Sequence, residues 1–293
     1  MGKKLIIPIS EMESYAEMVY VGDHLRPSST TSVYLIDPNT LACCHFDGCK
    51  ILLVRFDLNN GSYRFLQCSD TTFNQEKIQT DLLAGDGNGN LVVSNGHKQT
   101  CTLYRYENEQ ITLVRDLHYA IGNFAHGVKF YTPDIVAVTS RWESGGTYFI
   151  DCKTGNLVYK LQTPGVSVQD ICFLSANRMA VLYTLGSPTF AAREIMYASV
   201  LQIIDFGIGR PNATLLKEKV FKDAHIDSIV TYENRLYFTD QYNNKVIVCD
   251  PESLDLLDEI GGYDFPHGID VNYDILAVTN YGSNTVELRT LGA

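Results

Sequence analysis

Two of the chain's seven histidines stand in one local pattern: His126 within FAHGV (124–128) and His267 within FPHGI (265–269). A third, His225, lies two residues before Asp227, so in an extended strand both side chains leave on the same side. Imidazole and carboxylate in company suit two kinds of chemistry. They ligate a divalent ion of the zinc type, with one position left for water or substrate, or they act as general acid and base near neutral pH. The candidate reacting groups are His126, His267, Asp227, Asp81 and His225. If the cofactor is a divalent metal ion, the expected ligands are His126, His267 and Asp227. Arg141, Trp142, Tyr242, Tyr281 and Tyr197 are the candidates for holding substrate. Arginine grips a carboxylate or phosphate with two parallel hydrogen bonds, and the aromatics supply apolar walls. Each of these residues also has a plain structural use: a His-Gly pair can close a turn, and aspartate readily satisfies backbone amides. Only convergence in space would raise them above that use.

What could bring them together is an internal repeat. The clearest copies are 265–291 and 224–260, each a short strand, a polar turn, an apolar strand, an Asn-rich turn and a third strand. The second copy adds a fourth strand after the turn Asp250-Pro251-Glu252-Ser253. Further copies lie at 124–161, 168–206, 80–117 and, most degenerate, 31–68. The first apolar residue of each second strand marks the register: Leu41, Leu91, Ile135, Met179, Leu236 and Ile275, in steps of 50, 44, 44, 57 and 39 residues. That is the period of a four-stranded propeller blade. The long step holds an insertion, 186–198, whose Phe190, Ile195, Met196 and Tyr197 could cap a pocket. The last copy runs out after three strands, and Lys4–Ile9 is an apolar strand without a blade. Joining the two would close the ring and remove two open sheet edges.

The expectation is therefore an all-β, six-bladed β-propeller with four-stranded antiparallel blades, a single domain over 1–293 closed by the N-terminal strand. The segments FPHGIDV (265–271), LAVTNYGSNTVEL (276–288) and LYFTDQYNNKVIV (236–248) resemble NHL repeats. NHL-type and related six-bladed propellers include protein-interaction modules, peptidyl-amidating lyases, gluconolactonase-type hydrolases and strictosidine-synthase-like enzymes. The resemblance implies a fold and leaves the chemistry open. Counting back from the register marks places Ser32, Asp81, His126, Asp170, Asp227 and His267 at the channel mouth, with Gln169 and Leu82 one residue away from two of them.

Two functions fit. The favoured one is an enzyme acting as lyase, hydrolase or cyclase on a small-molecule ligand at that mouth; the other is a non-catalytic propeller holding a protein partner on the same face. A net charge of −11 with no offsetting Lys/Arg cluster argues against nucleic acid. No apolar run approaches a membrane span. Leu5–Ile9 contains Pro8 and runs into Glu11 and Glu13, so no signal peptide is expected. The eight cysteines are then expected as free thiols of a monomeric cytoplasmic protein. Gly85-Asp86-Gly87-Asn88-Gly89 reads as a β-turn, lacking the helix of a phosphate loop and the spaced acids of a calcium loop.

Overall fold

The computed structural model describes residues 2–9, 18–21, 24–27, 30–46, 48–119, 121, 124–141, 146–162, 167–185, 198–210 and 212–292. Six antiparallel four-stranded sheets stand in a ring. Blade 1 comprises Thr30–Asp37, Thr40–His45, Lys50–Asp57 and Ser62–Asp70. Blade 2 comprises Leu83–Gly85, Asn90–Asn95, Thr100–Glu107 and Gln110–Leu117. Blade 3 runs through Phe124–Thr132, Ile135–Arg141, Gly146–Asp151 and Leu157–Leu161. Blade 4 runs through Ser167–Ser175, Arg178–Leu185, Ala198–Asp205 and Thr214–Lys222. Blade 5 holds Ile226–Tyr232, Arg235–Asp240, Lys245–Cys249 and Leu256–Gly261. Blade 6 has Pro266–Asn272, Ile275–Asn280 and Thr285–Thr290 from the C-terminal end, and takes its outer strand, Lys4–Pro8, from the N-terminal end. That strand pairs antiparallel with Thr285–Thr290, Lys4 opposite Arg289 and Pro8 opposite Thr285, as expected from the sequence.

The core lies between blades rather than within them. Alternate residues of a strand face opposite sides of their sheet, so each blade presents one apolar face to either neighbour. Six buried clusters result, one at every junction around the circle. The junction of blades 6 and 1 packs Leu5, Ile7 and Ile9 against Val33, Leu35 and Leu52. Ile7 is fully buried there. Ile7→Ala should therefore cost about 2–5 kcal/mol in urea unfolding; a loss below about 1 kcal/mol would mean that the ring closes without this strand.

The same alternation disposes of the adjacent Cys43 and Cys44. Cys43 packs into the junction with blade 6 and Cys44 into the junction with blade 2, so the two sulfurs face opposite ways and share no metal. All eight cysteines are free thiols. Burial raises the Cys44 and Cys172 thiols to about 12, which keeps them unreactive. The glycine-rich segment is a turn: Asp86 accepts from the Asn88 and Asn90 backbone amides at 2.7 and 3.0 Å. Among the described residues no helix is long and apolar enough to cross a membrane. Met18–Val21 and His24–Pro27 pair as a separate hairpin before blade 1. The insertion expected to act as a lid, residues 186–197, lies outside the described residues.

Candidate functional site

The six first strands line the central channel, each in contact with the next around the circle. Near the mouth five of them break register against their own second strand, at Thr31, at His126-Gly127, at Gln169, at Asp227-Ser228 and at His267-Gly268. A β-bulge re-aims one side chain out of the alternating pattern. A threonine of the second strand closes three of these bulges and ties each to the next blade. Thr139 Oγ1 accepts from Gly127 N at 2.7 Å and donates to Gln169 O at 3.1 Å. Thr239 links Ser228 N to His267 O, and Thr279 links Gly268 N to Thr31 O.

The bulges shift two positions relative to the sequence count. Asp170, expected at the mouth, is instead buried between blades, where its Oδ2 takes Lys129 Nζ at 3.1 Å, Ser228 Oγ at 3.1 Å and Ile229 N at 3.0 Å. Ser32 likewise turns toward blade 2 and accepts from Leu83 N at 2.9 Å. Gln169 and Thr31 occupy the bulge positions in their place. The two glycines after the histidines permit the close approach of neighbouring blades. A Cβ on Gly127 would lie 2.5 Å from Asp170 Oδ1 and 2.7 Å from its Cα, and one on Gly268 would lie 2.6 Å from Ser32 Cα. Gly268→Ala should therefore lower stability by about 1–3 kcal/mol or more in thermal unfolding; an unchanged melting temperature would mean that the junction has slack.

His126 and His267 come from blades that face each other, yet their ring centroids are only 5.8 Å apart, so the channel is narrow enough for one ion or one proton to bridge them. Both rings are tethered alike. His126 Nδ1 lies 2.6 Å from Gln169 O, and His267 Nδ1 lies 2.8 Å from Thr31 O. A carbonyl oxygen can only accept, so each Nδ1 carries the proton and each Nε2 faces the centre. Around those two nitrogens stand the carboxylates. Asp81 Oδ2 is 3.4 Å from His126 Nε2, and Asp81 Oδ1 is 3.7 Å from His267 Nε2. Asp227 Oδ2 is 3.6 Å from His126 Nε2 and 2.8 Å from His267 Nε2. His225 Nε2 and Arg141 Nη2 each approach Asp227 Oδ1 to 3.6 Å.

The two histidines differ electrostatically. Burial, with help from Arg141, pushes His126 below the usual histidine range despite the nearby carboxylates. Burial also works against a charge on His267, but Asp227 and Asp81 outweigh it and hold that ring above the usual range. Burial would raise Asp227; His267, His126 and His225 together hold it well below the ordinary carboxylate value. Without a ligand these surroundings favour the charged form of His267 against Asp227 and the neutral form of His126.

No protein-family model matches this chain, and no curated protein matches it. Its likeness to solved structures is one of fold alone. The WD40 β-propeller domain of Doa1 aligns with TM-score 0.62 at 13% identity, over 98% of this chain and 97% of that one. Hydrazine synthase of Kuenenia stuttgartiensis aligns with TM-score 0.62 at 12% identity, over 92% of this chain and 98% of that one.

Asp81, His126 and His267 each offer a ligand atom within 4.8 Å of the other two. This grouping has Asp81 where the sequence reading had Asp227; Asp227 Oδ2 also lies close to both rings, 3.6 Å from His126 Nε2 and 2.8 Å from His267 Nε2. The rim above is aromatic. Tyr281 stacks on His267 with centroids 5.8 Å apart, and Tyr242 stacks on His225 at 5.3 Å. Phe265 bridges the two tyrosines at 6.3 and 6.0 Å. The sequence reading missed Phe265, although its place two residues before His267 was a usable signal. It also missed Phe124, whose ring lies 5.9 Å below the Arg141 guanidinium. Trp142 and Tyr197 lie outside the described residues.

The first strands also line a cavity of about 230 Å³ farther along, walled by Val33, Phe130, Phe173 and Ile269. Its charged groups are already engaged. Lys129 is held by Asp170, and Asp270 accepts from Leu35 N at 2.7 Å and Val271 N at 3.0 Å. Burial raises the Asp270 carboxyl to about 6.

Proposed function

We propose that the channel mouth is a mononuclear divalent-metal centre and that the chain is an enzyme using it to hydrolyse or eliminate on a small molecule. The observation that carries this reading is His126. Its ring is fully buried, its Nδ1 proton is committed to Gln169 O, and its Nε2 has no hydrogen-bond partner. That bare lone pair points at two carboxylate oxygens, an arrangement that repels unless a cation sits between them. A zinc ion bound at about 2.0–2.2 Å spaces its tetrahedral ligand atoms about 3.3–3.6 Å apart; Asp81 Oδ2 lies 3.4 Å from His126 Nε2, and Asp81, His126 and His267 each offer a ligand atom within 4.8 Å of the other two. The backbone carbonyls on both Nδ1 atoms fix tautomer and ring orientation, as behind metal-bound histidines generally.

Two imidazoles and one carboxylate leave a coordination position open, and a cation there acidifies bound water or polarises a substrate oxygen. Asp227, released from His267 when that ring becomes a ligand, is then placed to accept a proton. The aromatic rim walls off an apolar body and limits water. The NHL-like segments of the fifth and sixth repeats support a kinship with propellers that include lyases and hydrolases. Protein dialysed against zinc and then against metal-free buffer should retain about one equivalent by elemental analysis, because a preformed buried site releases metal slowly. It should also turn over at least one member of a panel of small esters, lactones and phosphoesters only when loaded. Failure to retain zinc overturns the metal centre; retention with no turnover across the panel overturns the enzyme.

A further inference from the structure

Arg141 ends the second strand of blade 3, and its side chain is mostly buried beside the centre. Its Nε is buried without a hydrogen-bond partner, and its Nη2 stops 3.6 Å short of Asp227 Oδ1, too far for a good hydrogen bond. The Phe124 ring supports the guanidinium from one side at 5.9 Å. A guanidinium cannot shed its charge and presents five donors in a fixed fork. Here the Nε donor is buried and unused, which is costly, and Nη2 is only loosely held by Asp227.

The charge balance says what would use it. This step rests on the metal reading above. Asp81 and Asp227 bring two negative charges, Arg141 one positive, and ligating histidines are neutral. A dication therefore leaves the centre at +1, which one monoanion neutralises and a phosphate dianion would overshoot. The fork of a guanidinium matches the two oxygens of a carboxylate. On the blade 5 and blade 6 side of the centre, stacked on His225 and His267, the rim of Tyr242, Phe265 and Tyr281 is apolar and aromatic.

We infer that the ligand of this centre is a small carboxylate with an apolar or aromatic body, its carboxylate gripped by Arg141 and its body lying along Tyr242, Phe265 and Tyr281. Arg141 then sets specificity for charge, and the metal ligands set reactivity.

The test compares phenylacetate, phenylacetamide and inorganic phosphate on zinc-loaded protein by calorimetry. The acid should bind about tenfold or more tightly than its neutral amide, the scale of a charge-assisted hydrogen bond, and more tightly than phosphate. Arg141→Met should bring acid and amide to near equality, with one zinc still retained and the melting temperature of the loaded protein preserved. Arg141→Lys should restore part of the preference, as a point charge without the fork. Equal affinities in the wild type, a preference that survives Arg141→Met, or phosphate binding more tightly than the acid would each overturn the inference. Zinc retention is read separately: protein that keeps zinc but shows no preference refutes only the carboxylate, whereas protein that keeps no zinc refutes the metal centre beneath it.

Discussion

His126→Ala is expected to weaken zinc binding by at least about a hundredfold while leaving the metal-free protein close to wild-type stability. Four-ligand zinc sites bind with about 10–16 kcal/mol, so each ligand carries about 3 kcal/mol, and that is roughly two decades in affinity. The stability half follows from the orphaned nitrogen. The lost ring leaves a cavity and a lost bond to Gln169 O, but that carbonyl keeps Thr139 Oγ1 at 3.1 Å. Removing the bare Nε2 from between Asp81 and Asp227 offsets the rest. Competition titration with a chromophoric chelator measures the first quantity and urea unfolding in chelator the second. Undiminished zinc affinity would show that His126 is a structural histidine.

Asp227→Asn should act in the opposite manner, destabilising the metal-free protein by about 3 kcal/mol or more, because removing one member of a buried ion pair strands the other. The loss should depend on pH. His267 is raised in the folded state, so its contribution is fully present below the unfolded histidine value near 6.5 and is lost as pH rises through its folded value. Asp227 is depressed, so its contribution is present above the unfolded value near 3.8 and is lost as pH falls through its folded value. The penalty of Asp227→Asn is thus largest between those limits and shrinks on the alkaline side, where His267 is neutral in both proteins. Denaturation in chelator at several pH values reads it; a pH-independent penalty would mean that the pair is not charged. For the same reason His267→Ala should be the costlier histidine variant in the metal-free protein.

Most of the scaffold was legible because it depends on local periodicity. The register marks Leu41 to Ile275 fell in the six second strands, and the unpaired Lys4–Ile9 strand could only belong to the blade that lacked one. The histidines announced themselves through a shared His-Gly pattern, whose glycines are required where adjacent blades nearly touch. Aspartates carried no such mark. Asp81 and Asp227 enter the mouth while Asp170 staples two blades together, and nothing in their immediate neighbours separates the cases.

The sequence by itself determined the number of blades, their order, the closing strand and the set of polar residues that start the first strands. The tertiary structure alone decided which of those residues meet. A strand has a period of two, so a one-residue bulge reverses the face of everything on one side of it. Whether a bulge forms here depends on a carbonyl or threonine offered by the next blade, some 30 to 250 residues away in the chain. The pairing of His267 with Asp227, the bare Nε2 of His126 and the unpartnered Nε of Arg141 are likewise products of distance and burial at one point, which no stretch of sequence contains.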